Sequence, residues 1–236
     1  MAISTDVTNA VTNVIDTAWN ITDGTVVPKT EDVVLRNGAR KVDATYLYAD
    51  LADSSNLARI MKKEVTGKVI RAYINAASRI LRHYGGEIRS FDGDRVMAIF
   101  MGGSKNSNAV RAALAIQWAV SEVIHPKLIE TWSDFDKLWK LDHGIGIDTG
   151  EALIVRGGVR DHNDLISIGR APNLAAKLSE IRGKTASIFI TKDVYNRCLA
   201  DRKTSADGKP MWVDAGTTTI GGASVQVYSS TWHWKP

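Results

Sequence analysis

The order of patterns along the chain predicts an α+β fold, with helices laid on one face of a largely antiparallel sheet. Three observations carry that expectation. Short β-type runs come in neighbouring pairs split by turn dipeptides such as Asp92-Gly93 and Thr149-Gly150. Between the pairs lie stretches whose apolar residues recur every three or four positions, the spacing of one helix face. No segment repeats another, so the elements fall in a single order, β-αα-ββ-α-ββ-α-β-α-ββ.

Taken in turn, Val7, Val11, Val14, Ile15, Ala18 and Trp19 predict a short amphipathic helix that Gly24 and Pro28 bring to an end. Residues 1–40 are therefore set apart as a helical extension that packs on the main domain or on a partner subunit. The main domain, 41–230, opens with a strand at about 42–49 and a helical stretch from Ser54 to Tyr84. In its second half Val69, Tyr73, Ala77, Ile80, Leu81 and Tyr84 mark one apolar face, which Gly85-Gly86 stops. The Asp92-Gly93 turn makes 87–101 a hairpin. Gly102-Gly103-Ser104 caps a helix through Val110, Leu114 and Val120. Past Trp132 and Trp139, runs at 141–148 and 151–156 read as a second hairpin about Thr149-Gly150. A strand at about 164–168 enters a helix near Ala171–Ile181, with Pro172 in its first turn. A strand, a helix at 193–200, a polar loop at 201–209 and a hairpin at 211–229 complete the domain, and 231–236 form a tail.

Size and composition fit this reading. A chain of 236 residues, 44% apolar and 24% charged, buries a full core. No apolar stretch approaches a membrane span and Met1 to Asp6 lack a basic leader, so a cytoplasmic location without membrane contact is expected. The single Cys198 excludes an internal disulfide and a cysteine-based metal site. A net charge of +4 suits anionic ligands, but the basic residues form no block. The five histidines have no metal-ligand spacing and are expected to be structural or on the surface. Gly102-Gly103-Ser104-Lys105 is no phosphate loop, and the seven tryptophans are assigned to packing.

The most informative residues are two aspartates. Asp50 ends the run Ala44–Ala49, and Asp94 follows the turn glycine of Phe91-Asp92-Gly93-Asp94-Arg95. If the two runs pair, both carboxylates meet at one sheet edge. There they could hold two divalent cations, the arrangement that in-line displacement at phosphorus uses.

Around these residues the chain resembles the class III nucleotidyl cyclases. YLYADLADSSNLA and RSFDGDRVMAIF resemble that family's two metal motifs, HGIGIDTGEALIV its following hairpin, and ISIGRAPNLAAKLSEI the helix with its transition-state residues. The likeness runs from about residue 42 to 229, and implies a ferredoxin-like catalytic domain. It implies that Asp50, Asp94 and the carbonyl of Leu51 hold Mg²⁺ or Mn²⁺, two ions per site. The backbone of Ala52, Asp53, Ser54 and Ser55 then faces the triphosphate, although Asp53 and Ser54 serve equally well as a helix cap. Asn173 matches the ribose-orienting asparagine. Lys177 stands where the family has a catalytic arginine, and a lysine there lacks the planar fork, so Arg170 could share its work. A lysine that grips the triphosphate in many relatives is missing from Thr219–Ser224, with Lys41, Arg89, Arg95 and Arg156 as candidates to replace it.

The base-selecting positions depart from purine cyclases. Ser90 stands four before Asp94, where they carry Lys or Glu, and Ile166 stands three before Gly169, where they carry Asp, Thr or Cys. A buried apolar side chain cannot read a purine's polar edge. Tyr48 replaces a frequent Phe, adding bulk and a hydrogen-bonding hydroxyl. The chain is thus similar to the pyrimidine cyclases of bacterial anti-phage (Pycsar) signalling. The substrate expected is UTP, with CTP left open, and the partner a second copy in a head-to-tail homodimer with shared sites. The rival readings are an adenylate or guanylate cyclase, against which Ser90 and Ile166 speak, and a catalytically inactive nucleotide- or RNA-binding module. No nucleic-acid partner is expected, because exposed aromatics on paired central strands are not evident.

Overall fold

The computed structural model describes residues 2–236. Along the chain run α1 (Ile3–Asp16), β1 (Asn20–Asp23), β2 (Gly38–Leu51), α2 (Ser54–Ile60), α3 (Lys63–His83), β3 (Glu87–Asp92), β4 (Arg95–Phe100) and α4 (Lys105–Trp118). They are followed by α5 (His125–Thr131), α6 (Phe135–Leu138), β5 (His143–Val159), β6 (His162–Ile168), α7 (Arg170–Ser179), β7 (Ile188–Thr191), α8 (Lys192–Arg197), β8 (Val213–Ile220) and β9 (Ala223–Ser230).

Among the described residues nine strands form one sheet, ordered β3-β4-β2-β5-β7-β9-β8, with β1 joined to β2 and β6 to β5. The β1–β2 and β5–β7 pairs are parallel and the others antiparallel. Strand β2 is the spine, and successive side chains along it point to opposite faces. Leu47, Ala49 and Leu51 enter one apolar cluster with residues of α3, α4 and α8. Val42, Ala44 and Tyr46 enter another with Ala171 and Ala175 of α7 and with Leu165 of β6. Both faces are covered, which explains why Ala44–Ala49 reads as an unbroken apolar run. Most helices pack on the first face as expected, but α7 lies on the second, so the sheet is flanked on both sides.

The stretch 54–84 is two helices, as the αα of the expected order has it, parted where Met61 and Lys62 take extended backbone (ψ 158 and 145). Other expectations differ in detail. No hairpin forms at Thr149-Gly150. That pair stays in one 17-residue strand, β5, opposite Thr45 and Ala44 of β2, and the reversal comes at Arg160-Asp161. Gly150 only bends the strand (φ 156), whereas Asp161 takes the left-handed conformation (φ 66) that a tight turn needs. The strand that opens the main domain, β2, begins at Gly38 rather than 42, the first helix ends at Asp16, and the expected helical extension also contains a strand, β1.

Two glycines seat α7. A Cβ on Gly146 would lie 2.0 Å from the Ala175 carbonyl, and one on Gly144 2.2 Å from that of Ser179. The helix thus runs antiparallel to Gly144–Gly150, its C-terminal end beside Gly144. No described helix is long and apolar enough to cross a membrane.

Candidate active site

The carboxylate pair is assembled by strand register. Asp50 pairs with Arg95 across the β2–β4 ladder, which puts Asp94, in the Gly93-Asp94 turn, one step further on. Gly93 takes φ 62, a left-handed conformation that glycine adopts without strain. The turn is tied down by the Leu51 N–H donating to the Asp94 carbonyl at 3.4 Å. Asp50 and Leu51 therefore stand beside Asp94 at one end of the two strands, as the apolar runs suggested.

Electrostatics at Asp50 are those of an acid short of positive charge. Burial and the neighbouring Asp94 push its carboxyl above the usual range, while Arg182 and Arg95 pull the other way. The Arg182 guanidinium donates to Asp50 Oδ2 at 2.7 Å. Beneath lies an uncharged support: His143 is buried with Nε2 2.7 Å from Gln117 Oε1, and burial depresses its pKa to about 3. The buried Tyr73 ring meets His143 edge-on, which keeps this histidine structural.

Ala52, Asp53 and Asn56 line a cleft of about 660 Å³ together with Asp136, Lys137, Leu138, Trp139, Lys140, Asp142 and Arg182. The Ala52 amide is not open to an anion, because it donates to the Asp142 carbonyl at 2.9 Å. The first helical bond of α2 runs from Leu57 N–H to the Asp53 carbonyl, which leaves the amides of Ser54 and Ser55 without intrahelical partners. Asp53 takes φ 55 and makes no side-chain cap; its carboxylate instead accepts from the Asn56 side chain at 2.9 Å.

Helix α7 turns Ala171, Leu174, Ala175 and Leu178 into the core, and Asn173, Lys177 and Arg170 outward to solvent. Lys177 is held by Glu180 at 3.0 Å, and Arg170 by Asp193 at 2.9 Å. Among the described residues neither Asn173 nor Lys177 makes a hydrogen bond or ion pair with Asp50 or Asp94. Asn173 stands about 9 Å along the axis from the Ser179 end that abuts Gly144. The single chain brings the carboxylates together and leaves the two α7 side chains facing outward.

Tyr48 shares the Asp50 face of β2, two residues away, with the Arg95 guanidinium 5.5 Å from its ring centre. Met97 pairs with Tyr48 on one side and Ser90 on the other, so Tyr48, Met97 and Ser90 form one cross-strand row. Ile166 sits opposite Val155 and is 50% exposed, not buried as its apolar side chain suggested. The physical reason is alternation: Leu165 turns into the cluster against the sheet, so Ile166 turns away. An Arg89–Asp164 ion pair (3.5 Å) ties β3 to β6 next to Ser90.

All four basic residues considered for the triphosphate have other partners. Lys41 pairs with Asp23, Arg89 with Asp164, Arg95 with Asp92 and Glu180, and Arg156 with Asn163. Arg182, which reaches Asp50, was not legible in the sequence. It follows a helix end, where a basic residue ordinarily complements the helix dipole.

A comparison with family models finds no match. The chain is 41% identical, over its full length and 99% of the relative's, to a protein named uridylate cyclase from Rhodovulum sp. (strain MB263). It is 40% identical to a uridylate cyclase of Burkholderia cepacia, with 99% of each chain covered. Among solved structures, the adenylyl cyclase CyaB from P. aeruginosa superposes with a TM-score of 0.66 at 24% identity, covering 81% of this chain and 95% of that one. At that identity the superposition speaks for the fold alone. Fold and full-length relatives together define a nucleotidyl cyclase with the class III catalytic architecture. Within that class, the chain belongs to the family of the uridylate cyclases it matches from end to end.

Proposed function

We propose that the enzyme converts UTP to 3′,5′-cyclic UMP and pyrophosphate at two equivalent sites in a head-to-tail homodimer, and that the product is a messenger in anti-phage defence. The observation that carries the substrate assignment is the end-to-end likeness to proteins named uridylate cyclase, together with Ser90 in the row beside Tyr48.

The donor set suits Mg²⁺ or Mn²⁺. Asp50, Asp94 and the Leu51 carbonyl offer hard oxygen ligands, and a cationic guanidinium already rests on Asp50. The described residues include no cluster of three acidic, histidine or cysteine ligands, so further ligands would have to come from substrate and solvent. Bound there, the ions would lower the pKa of the ribose 3′-hydroxyl and neutralise the departing pyrophosphate. The protein's own part is to position the substrate. Helix-start amides at Ser54 and Ser55 face the phosphates, and Tyr48 offers its hydroxyl to the base. From the partner copy, Asn173 orients the ribose and Lys177, released from Glu180, meets charge developing on the phosphorus; such a group is worth roughly 3–4 kcal/mol. The 3′-hydroxyl loses its proton to solvent water, and its oxygen bonds to the α-phosphorus as the bond to the pyrophosphate oxygen breaks. Sharing is supported by the outward set of Asn173 and Lys177 on α7.

The test is incubation of the purified protein with each of the four nucleoside triphosphates and Mn²⁺, with the product identified. Cyclic UMP from UTP is expected. Cyclic CMP as the main product would move the assignment to the cytidylate reaction, and turnover of ATP or GTP alone would overturn the pyrimidine reading.

A further inference from the structure

The side chain that binds the triphosphate is the open position in this site, and an inference about it rests on the reading just given. Many arginines near a helix end do no more than meet the last carbonyls. Arg182 does that and one thing more: Nη1 donates to the Ser179 carbonyl at 2.5 Å and the Ile181 carbonyl at 3.1 Å, while Nη2 reaches Asp50 at 2.7 Å. The guanidinium is thus spread between the C-terminus of α7 and one carboxylate of the pair. It fits there because residue 144 is glycine; a Cβ on Gly144 would sit 2.4 Å from Nη1.

Arg182 also lines the cleft formed with Ala52, Asp53 and Asn56, and its side chain is 32% exposed there. Two lysines share that cleft. Lys137 is paired with Asp134, and neither it nor Lys140 makes an ion pair with Asp50. Of the three cations lining the cleft, Arg182 is therefore the one that touches Asp50.

A divalent cation binding Asp50 would share one carboxylate with this guanidinium, and the two positive charges would repel each other. We propose that Arg182 is the triphosphate-binding residue of this enzyme: it occupies Asp50 in the unloaded chain and transfers to the β- and γ-phosphate oxygens when metal and nucleotide enter. Its planar fork suits two phosphate oxygens at once, and its charge stays balanced in both states. This exchange makes good the lysine absent from Thr219–Ser224.

The test compares the full-length wild type with Arg182→Ala and Arg182→Lys, all first checked for an unchanged thermal melt. Mn²⁺ alone is followed by the loss of its free-ion paramagnetic resonance signal. The Mn²⁺–tripolyphosphate complex, which carries no base or ribose, is titrated calorimetrically. Arg182→Ala should take up Mn²⁺ several-fold more tightly, having lost the competitor, yet bind tripolyphosphate roughly tenfold or more weakly. Arg182→Lys should fall between, as a point charge without the fork. Unchanged tripolyphosphate affinity in Arg182→Ala, with normal Mn²⁺ uptake, overturns the proposal alone. Asp50→Ala separates the two readings. If it still takes up Mn²⁺ while Arg182→Ala loses tripolyphosphate, the carboxylate assignment fails and Arg182 stands; a wild type that takes up no Mn²⁺ ends both.

Discussion

Among the glycines, Gly146 leaves the least room for an added methyl. The new Cβ would stand 2.0 Å from the Ala175 carbonyl oxygen, 2.4 Å from the Ser179 nitrogen and 2.7 Å from Leu178 Cβ. Two of these are backbone atoms of α7 or its end, so no side chain can rotate out of the way. Bringing the closest approach from 2.0 Å to an ordinary 3.4 Å requires α7 to rise from β5 by about 1.4 Å. Overpacking of this kind costs typically about 1–3 kcal/mol. At roughly 2–4 °C per kcal/mol for a chain of this size, the melting temperature should fall by about 2–12 °C. Activity should suffer more, because α7 carries Asn173 and Lys177 and leads to Arg182; a displacement of about 1 Å can cost on the order of 10²-fold in rate. Gly67 is the control. It lies in α3 with nothing within 4 Å of its Cβ position, and Gly67→Ala should raise stability by up to about 1 kcal/mol at full activity. Thermal melts and a cyclase assay on both variants decide the matter. A Gly146→Ala protein that melts and turns over like the wild type would refute the claim that α7 is seated directly on that glycine.

Four further outcomes are expected. Mn²⁺ at a hundred times its Kd should stabilise the wild type by about 2.7 kcal/mol, read as a shift in the melt, and Asp50→Asn should abolish both that shift and turnover. Because burial and Asp94 raise the Asp50 pKa, the stability its protonated form carries is present at acid pH and lost as pH rises through the raised value. At neutral pH the metal-free Asp50→Asn protein should therefore melt no lower than the wild type, and a large drop would contradict the charge balance described. Mixing Asp50→Ala with Lys177→Ala protein should restore activity, since a mixed dimer has one intact composite site; no recovery despite demonstrated mixed dimers would refute shared sites. His143 runs the opposite way from Asp50. With a folded pKa of about 3 against 6.5 in the unfolded chain, its contribution is complete above pH 6.5 and is lost on acidification, by about 1.4 kcal/mol per pH unit across that window. His143→Gln should flatten the acid limb of a plot of stability against pH, and an unaltered slope would remove His143 as its cause.

Local chemistry sufficed for much of this protein. The α+β class and the hairpin at Asp92-Gly93 follow from periodicity and turn residues, which act over a few positions, whereas Asp50 meets Asp94 only because β2 pairs with β4. Tertiary packing decided the rest. Thr149-Gly150 looks like a turn, yet thirteen successive pairings with β2 hold β5 through it, and a local turn preference cannot outweigh such a ladder. Ile166 faces outward because Leu165 fits the second core, a choice between neighbours that depends on what lies across the sheet. Arg182 stands 132 positions from Asp50, so their contact exists only once Gly144 lets the end of α7 close on the sheet, and no spacing along the chain encodes it.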